Sequence, residues 1–391
     1  MEKTRIDENM PQVGNREKTV CLITNHDDDV YCFRKELLEG LIDAGYKVVV
    51  SCPYGEKLDL MKDMDFVHED VYIDRRGTNP IADYKLYRAY KKLMKKYKFH
   101  AVLTYTSKPN VYASLAAAHY KIPYINNVTG LGSVINMNPL MKSFVMFLYK
   151  VAFKKSSCVF FQNKTNMDMI INQGMVKGNS KLLPGSGVNT DRFKLLDYKE
   201  GGDGVNGDPL VFNYIGRVLK EKGIEDYIEA ATRIKMTYPN TQFNVLGFVE
   251  PTQKEYEKLL KEKEEQGIIM YRGQQKDVIP FIDKAHAIIH PSVYGEGMSN
   301  VLLENASSGR VLITTNNPGC KETVIDGVSG YIYSGGNVDE LVEVVKKFIS
   351  LSNEERRKMG LAGREYVSKN FSRHIVVGEY LDVIKSLEKD E

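Results

Sequence analysis

The sequence predicts an α/β protein of two domains, each a parallel β-sheet with helices on both faces. Three observations support this prediction. The length of 391 residues suits two ordinary domains. Short apolar segments alternate with amphipathic segments along the whole chain, and the apolar segments lack the polar alternation of a half-exposed strand. A glycine-rich, acidic stretch at 200–209 separates two such series.

The N-terminal series follows a polar stretch, residues 1–15, which we expect to be a disordered tail. Its short apolar segments are predicted strands: 18–25, 46–53, 101–106, 123–128 and 158–163. The predicted helices of this half are 32–45, which Gly45 is expected to end, 84–97 and 111–120. These elements define a first domain over residues 16–190.

The C-terminal series repeats the alternation and defines a second domain over residues 191–371. Its predicted strands are 210–217, 241–247, 268–273, 287–292 and 311–316, and its first two helices are 223–237 and 253–266. We expect the last segment, 372–391, to form a helix that packs back on the first domain. Ligands of such sheets bind at the carboxyl ends of the strands, so the cleft between the domains is the expected site.

Composition excludes several classes of protein. The chain has no run of eighteen uncharged apolar residues and no hydrophobic signal core, so neither a membrane span nor export is expected. The five cysteines lack metal-ligand spacing and suit free thiols in a reducing cytoplasm. We expect a cytoplasmic protein without a cofactor, a bound metal or a nucleic-acid partner.

The formal net charge of +3 hides an asymmetry between the two halves. Residues 84–181 carry sixteen Lys or Arg and one acid, Asp168, whereas from residue 191 onward 32 acids exceed 27 bases. The basic half attracts anions, although a merely solvated lysine-rich face is the alternative. Within it, residues 138–155 mix apolar side chains with lysines, which indicates a core-facing helix or a helix on a membrane surface.

A first candidate site follows the strand at 210–217. Gly216 ends the strand, Arg217 lies in the loop, and Lys222 precedes a helix that starts near Gly223. Glycine lets a ligand approach the backbone, and two cations beside a helix N-terminus suit a diphosphate. The segment is not a P-loop, and no Gly-x-Gly-x-x-Gly follows the first strand. The alternative is that both cations lie on an ordinary surface.

A second candidate site is the segment EGMSNVLLE, residues 296–304. Ser299 and Asn300 are suitable N-cap residues for a helix whose N-terminus could bind an anion. Eight residues of helix span up to roughly 12 Å, which exceeds the roughly 5–9.5 Å between the carboxylates of a glycosidase. Glu296 and Glu304 therefore suit opposite ends of one elongated ligand, such as a nucleotide sugar. The alternative is a surface glutamate and an unrelated helix glutamate.

These segments together resemble the family-4 retaining glycosyltransferases of the GT-B fold, two Rossmann-like domains facing a central cleft. The matching segments are Gly216-Arg217 with Lys222-Gly223, 271–292, the pair Glu296 and Glu304, and 316–333. The resemblance implies that Arg217 and Lys222 hold the donor diphosphate, Glu296 the sugar hydroxyls and Glu304 the ribose. It also implies donor contacts from the following residues: Gly216, Gln274, Gln275, Gly297, Met298, Ser299 and Asn300. The reaction of this family needs no metal.

The N-terminal half, through Phe33-Arg34 and residues 107–132, resembles bacterial enzymes that extend undecaprenyl-diphosphate-linked sugars. One example is the N-acetylgalactosaminyltransferases acting on lipid-linked diacetylbacillosamine. The resemblance implies acceptor contacts from Arg34, Thr129 and Gly130. The chain departs from the family in two places: it lacks a glycine pair after the first strand, and Thr129 stands where many members have histidine. We expect structural roles for His26 and His119.

The implied activity is transfer of a sugar, with retention, from a nucleotide sugar to a lipid-linked glycan during cell-surface polysaccharide or glycoconjugate assembly. The expected donor is a UDP-linked hexose, N-acetylhexosamine or uronic acid. A peripheral position on the anionic inner face of the plasma membrane would suit such an acceptor. Two alternatives stay open: a nucleotide-sugar 2-epimerase-like enzyme, and a non-catalytic nucleotide-sugar-binding module.

Overall fold

Two parallel β-sheets organise the chain, as the sequence predicts. The computed structural model describes residues 18–75, 77, 79–131 and 138–388. The predicted tail at 1–15 lies outside the described residues, as does the end of the segment 372–391.

The N-terminal sheet has seven strands in the order β3-β2-β1-β4-β5-β6-β7, and every pair is parallel. The strands are β1 (Thr19–Ile23), β2 (Lys47–Cys52), β3 (Phe66–Asp70), β4 (Phe99–Tyr105), β5 (Tyr124–Val128), β6 (Cys158–Phe161) and β7 (Asn179–Leu182). The order reverses between β1 and β4, and such a switch point is where open α/β sheets bind ligands at the carboxyl ends of their strands.

Within the described residues, six α-helices cover this sheet. They are α1 (Asp27–Phe33), α2 (Lys35–Asp43), α3 (Pro80–Lys96), α4 (Ser107–His119), α5 (Pro139–Phe153) and α6 (Lys164–Asn172). The single helix predicted at 32–45 is wrong at its start, because the chain forms two helices that break at Arg34. The predicted end of this helix at Gly45 is nearly correct, since α2 ends two residues earlier and Gly45 has a φ of +85°.

The C-terminal sheet has six parallel strands in the order β10-β9-β8-β11-β12-β13. They are β8 (Leu210–Ile215), β9 (Thr241–Leu246), β10 (Met270–Gly273), β11 (Ala287–His290), β12 (Val311–Thr315) and β13 (Gly330–Tyr333). The helices of this half are α7 (Ile224–Thr237), α8 (Glu255–Glu265), α9 (Ile279–Lys284), α10 (Asn300–Ser307), α11 (Val338–Ile349) and α12 (Asn353–Asn370). Its order reverses between β8 and β11, so this sheet has its own switch point.

The final helix, α13 (Arg373–Ser386), crosses back to the N-terminal domain. Its buried residues Val376, Tyr380 and Ile384 belong to the same apolar cluster as the strands β1, β2 and β4. The Asn127 side-chain amide, at the end of β5, donates to the Tyr380 hydroxyl at 2.5 Å. Residues far apart in sequence therefore complete one core.

Two further findings concern the cysteines and the lengths of the apolar helices. The five cysteines are free, and four of them are buried. Among the described residues, no helix is both long and apolar enough to cross a membrane.

Candidate functional site

A cleft of about 990 Å³ lies where the carboxyl ends of the two sheets face each other. The segments that line it follow β1, β4, β5 and β6 in one domain and β8, β9 and β11 in the other. The predicted site residues that line the cleft are Arg34, Thr129, Gly130, Arg217, Lys222, Glu296, Gly297, Met298 and Asn300. The predicted residues outside its lining are Gly216, Gln274, Gln275, Ser299 and Glu304.

The centre of the cleft is a buried ion pair between Lys222 and Glu296. The Lys222 ammonium lies 2.8 Å from Oε1 of Glu296, and the two side chains are 13% and 12% exposed. The same oxygen lies 2.9 Å from Nε2 of His290. Burial alone would raise the pKa of Glu296, but the Lys222 charge and the bond to His290 hold that pKa well below its usual range. Glu296 is therefore ionised.

Lys222 reaches this position because the chain turns sharply after β8. A short 3₁₀ turn, Lys220–Lys222, leads to Gly223, whose φ is +73°. A side chain at Gly223 would place its Cβ 2.0 Å from the Pro291 carbonyl oxygen, so the close approach of these two loops requires glycine. Burial opposes the charged form of Lys222, but the Glu296 carboxylate outweighs it and raises the Lys222 pKa. The ammonium is charged where a ligand anion can meet it.

Arg217 is the second cation of the C-terminal wall. Its side chain is 44% exposed, and its guanidinium lies 3.6 Å from the Glu250 carboxylate. Gly216 directly precedes it at the end of β8. This loose, half-exposed pairing leaves Arg217 able to turn toward an anion in the cleft.

The loop that carries Glu296 is held by residues 318–319, by His290 and by Asn163. The backbone amide of Glu296 donates to the Pro318 carbonyl at 2.9 Å, and the Ser299 amide donates to the Gly319 carbonyl at 2.8 Å. Helix α10 then begins at Asn300, with Ser299 as its N-cap. The predicted capping hydrogen bond is not made, because the Ser299 hydroxyl lies 3.2 Å from Nε2 of His290 instead. Ser299 thus supports the histidine that contacts Glu296.

The third contact comes from Asn163, which belongs to the N-terminal domain. Its side-chain amide donates to the carbonyls of Glu296 and Gly297, at 2.7 and 2.8 Å. A Cβ on Gly297 would lie 1.8 Å from the Thr129 carbonyl oxygen, so the two domains touch at a glycine. Sequence reasoning missed both Asn163 and His290. His290 ends the buried strand β11, and that position was the available signal for it. Asn163 follows β6 and looks like an ordinary helix cap, so its position carried no signal.

Glu304 lies on the second turn of α10, half-buried. Its carboxyl group makes no hydrogen bond or ion pair with any residue that the structure describes. Burial raises its pKa to about 7, against the opposing charges of Arg192 and Arg373. Unlike Glu296, this carboxyl group has an unused hydrogen-bonding capacity.

The remaining predicted residues lie at the margins. Gln274 and Gln275 follow β10, the edge strand, and the Gln275 amide donates to the Arg272 carbonyl. His26 accepts from the Asp28 amide at 3.2 Å as the N-cap of α1, and His119 packs edge-on against Tyr120. Both histidines have local structural contacts.

Two groups of described residues bring possible metal ligands within 4.8 Å of one another: His290, Glu296 and Cys320, and His26, Asp27 and Asp28. In the first group the Lys222 ammonium already neutralises Glu296. Burial also raises the pKa of Cys320, which disfavours the thiolate that a metal would need. In the second group His26 is occupied as a helix cap.

Two family models match successive parts of the chain. One describes glycosyl transferase 4-like domains and matches residues 19–163, and the other describes glycosyl transferases group 1 and matches residues 200–366. Together they take in the second sheet, all strands of the first sheet except β7, and most of the loops that form the cleft.

Individual proteins are similar over most of the chain. The N,N'-diacetylbacillosaminyl-diphospho-undecaprenol alpha-1,3-N-acetylgalactosaminyltransferase of Campylobacter jejuni is 24% identical over 378 residues, covering 92% of this chain and 96% of that protein. The capsular polysaccharide biosynthesis glycosyltransferase CapM of Staphylococcus aureus is 26% identical, covering 64% and 67%. HepE of Anabaena, solved in complex with UDP and glucose, superposes with a TM-score of 0.76 at 15% identity, covering 94% of this chain and 100% of that one. With both domains matched in this order, the chain is a glycosyltransferase that joins a glycosyl transferase 4-like domain to a glycosyl transferases group 1 domain on the GT-B fold.

Proposed function

We propose that this glycosyltransferase moves a sugar, with retention and without a metal ion, from a nucleotide sugar to a lipid-linked saccharide. The buried Lys222–Glu296 pair carries the proposal. In this pair, the cation that would bind a diphosphate is in direct contact with the carboxylate that would bind sugar hydroxyls, where the two sheets meet. The bond between sugar and phosphate would lie where these two groups touch.

The donor would lie along the C-terminal wall of the cleft. Lys222 and Arg217 would bind the diphosphate, with Gly216 permitting its approach, and the segment from Gly297 to Asn300 would border the sugar. Glu304 would accept hydrogen bonds from the ribose, and the backbone at Gln274 and Gln275 would meet the base. The Anabaena neighbour was solved with UDP, which supports a UDP-linked hexose, N-acetylhexosamine or uronic acid here.

The reaction would depend on electrostatic stabilisation of the leaving group. Negative charge develops on the diphosphate as the glycosidic bond breaks, and preorganised cations in a desolvated site stabilise it. Glu296 would hold the sugar hydroxyls, and His290 would fix the orientation of that carboxylate. Attack by the acceptor hydroxyl on the face that the diphosphate leaves gives retention, with the departing phosphate oxygen taking the proton.

The acceptor would enter from the N-terminal domain, past Arg34, Thr129 and Gly130. The Campylobacter relative is named for a diphospho-undecaprenol acceptor and the staphylococcal one for capsule synthesis. These names support a lipid-linked glycan and a place in cell-surface polysaccharide or glycoconjugate assembly.

A donor panel tests the proposal. UDP-, GDP- and ADP-sugars are supplied in excess EDTA, and release of free nucleotide is measured with and without a lipid-diphosphate saccharide acceptor. We expect release from a UDP-sugar, accelerated by acceptor and unaffected by chelation. Loss of release on chelation, restored by Mg²⁺, would contradict the metal-independent mechanism. Formation of an epimeric nucleotide sugar, or binding without turnover, would support the alternative functions.

The structure also supports the peripheral membrane position that we propose. Helix α5 buries Met146, Tyr149 and Phe153 on one face. Its opposite face exposes an apolar stripe at helical spacing, defined by Leu140, Phe144, Phe147 and Val151. Leu140 is 86% exposed and Phe147 is 60% exposed, and a contiguous exposed apolar patch of this kind marks an interaction site.

Lysines flank the apolar stripe. Lys150, Lys154 and Lys155 are exposed on the same helix or just after it, within the basic region 84–181. Cations gain roughly 1 kcal/mol each near an anionic leaflet, and apolar side chains enter the interface. We therefore place the cytoplasmic face of the plasma membrane against α5, close to the acceptor side of the cleft.

A further inference from the structure

The N-terminal wall of the cleft contains a buried cation without an anion. Arg34, between α1 and α2, lines the cleft and is 5% exposed. Its Nη1 donates to the Phe33 carbonyl at 2.8 Å, and its guanidinium carbon lies 4.3 Å from the centroid of the Tyr105 ring. Among the described residues, no carboxylate lies within 4.0 Å of it. The bond to Phe33 is the one hydrogen bond of good geometry that its guanidinium makes among these residues, so several of its five N–H donors stay open to a ligand.

The other buried arginines show how unusual this is. Arg310 donates to the carbonyls of residues 282, 197 and 283, and Arg356 donates to those of residues 349 and 348. Arg373 pairs with the Glu36 carboxylate at 2.6 Å. Buried charges are normally satisfied in this way. Of the buried arginines that the structure describes, Arg34 alone faces the cleft and keeps unused donors.

A second unused donor lies beside Arg34. The Tyr105 side chain is 2% exposed and lines the cleft, and its hydroxyl makes no hydrogen bond of acceptable geometry within the described part of the chain. The Arg34 guanidinium and the Tyr380 hydroxyl lie close to it. Burial raises the pKa of Tyr105, so its hydroxyl keeps its proton and can donate.

A third feature is the start of α4, a helix of 13 residues. Its N-cap, Thr106, lines the cleft with a φ of +67°, which is strained for a β-branched residue. The Thr106 hydroxyl donates to the Tyr105 carbonyl at 2.5 Å and does not cap the helix. The first-turn amides thus have no side-chain acceptor, and the positive end of the helix dipole is open to a ligand.

We infer that Arg34, the Tyr105 hydroxyl and the N-terminus of α4 form a phosphate-binding site on the N-terminal wall, separate from Lys222 and Arg217. All three are donors, so their ligand is an anion with several acceptor oxygens, as a phosphate is. Two other charged groups line this wall: Asp29 accepts from the Thr24 hydroxyl at 2.9 Å, and Arg75 is exposed at the rim. Assigning the phosphate to the diphosphate of the acceptor rests on the proposed function.

Binding of inorganic pyrophosphate tests the site itself, without any assumption about transfer. Calorimetric titration compares the full chain carrying Arg217→Gln and Lys222→Gln with the same protein carrying Arg34→Gln in addition. We expect the double variant to bind pyrophosphate, and Arg34→Gln to weaken that binding about 10- to 100-fold, as for lost hydrogen bonds to a charged group. Equal affinity with and without Arg34, or no binding by the double variant, would overturn the site.

Two further variants guard against misfolding and against a general charge effect. Tyr105→Phe removes only the hydroxyl, keeps the ring that packs in the core, and should weaken pyrophosphate binding about 2- to 10-fold with the fold unchanged. Arg75→Gln removes one exposed cation at the rim and should change binding less than twofold. Unchanged binding in Tyr105→Phe, or a loss in Arg75→Gln equal to that in Arg34→Gln, would contradict the geometry.

A substrate comparison identifies the source of the phosphate. The KM of a short-chain prenyl-diphosphate saccharide is compared with that of the same saccharide without diphosphate. We expect the wild-type protein to prefer the diphosphate form at least tenfold and Arg34→Gln to lose most of that preference. If pyrophosphate binding depends on Arg34 but this preference is absent, the site stands and the proposed acceptor does not.

Discussion

The Lys222 ammonium and the Glu296 carboxylate are in contact at 2.8 Å, although 74 residues separate them and each follows a different strand of the sheet. The pair neutralises two charges that would be costly to bury singly. It also keeps both groups ionised at the position where we place the bond between sugar and diphosphate.

Lys222→Ala should lower turnover about 10²- to 10³-fold, the effect of removing one preorganised group that stabilises developing charge. Arg217→Ala should lower it at least about 10²-fold for the same reason. Steady-state kinetics with saturating donor measure both. Lys220→Ala is the matched control, because that ammonium is exposed and lies 3.6 Å from Glu225, and its activity should stay within about twofold of wild type. Near-wild-type turnover in both test variants would show that Lys222 and Arg217 do not stabilise the departing diphosphate.

Glu296→Gln should reduce kcat far more than donor affinity. The amide keeps the size of the side chain but removes the charge that contacts Lys222 and His290, at the sugar end of the donor. Turnover is compared with the affinity for free UDP, with Glu225→Gln on the exposed surface as control. An equal loss in UDP affinity and turnover would show that Glu296 does not act at the sugar.

The same variant should be less stable at neutral pH by about 3–5 kcal/mol, because it leaves the Lys222 charge buried and unpaired. The pKa of Glu296 is lowered on folding, so its stabilisation is present above the unfolded value of 4.5 and is lost as pH falls below it. Urea unfolding at pH 7 and at pH 4 should show the difference between wild type and variant shrinking on acidification. A difference that grows toward pH 4 would contradict the ion pair.

Glu304 should show the opposite pH dependence. Its pKa rises on folding to about 7, so the folded state holds the proton longer than the unfolded state. Relative to Glu304→Gln, the stability of the wild type should fall as pH rises from about 4.5 to about 7, and stay constant above. Unfolding curves measured at steps of half a pH unit test this.

Glu304→Ala should chiefly weaken UDP binding, because we place this side chain at the ribose. Unchanged UDP affinity would show that Glu304 is not part of the nucleotide site.

The apolar stripe of α5 should insert into anionic membranes. Phe144→Ser combined with Phe147→Ser should weaken binding to phosphatidylglycerol vesicles at least about 100-fold, since each buried phenyl contributes about 1.5–3 kcal/mol and the two together about 3–6 kcal/mol. Co-sedimentation at low and high salt measures this. Met236→Ser, at an exposed apolar position of the other domain, is the control and should have no effect. Equal binding by all three proteins would leave the stripe without a membrane role.

The buried strands of both sheets could be predicted from sequence because they are apolar on both faces. Three strands were missed. β3 (FVHED) and β7 (NSKL) are polar, partly exposed edge strands, and an edge strand shows no continuous apolar run. The third, β13 (GYIY), begins with a glycine that lies against the Leu312 backbone. Helix α1 (DDDVYCF) was missed because three aspartates look like a loop, whereas carboxylates stabilise a helix N-terminus.

The sequence could indicate which residues belong to the site, but not which of them contact one another. Lys222 and Glu296 each carried a signal in their own segment, yet nothing in the sequence indicated that they would touch. Asn163 gave no signal, since an asparagine after a strand is an ordinary helix cap, and it does cap α6. Its bonds to the Glu296 loop depend on how the two domains meet. Tertiary placement of that kind cannot be read from local patterns.

The return of α13 to the N-terminal core has a consequence during synthesis. The strands of the first sheet end at Leu182, but Val376, Tyr380 and Ile384 complete their apolar cluster. At roughly 5–20 residues per second, the ribosome needs about 10 to 40 s to make the intervening chain. Throughout that interval the first domain has an open groove where α13 will pack. Nascent chains arrested before residue 373 should therefore recruit chaperones at this groove, and release of α13 from the exit tunnel should end that interaction.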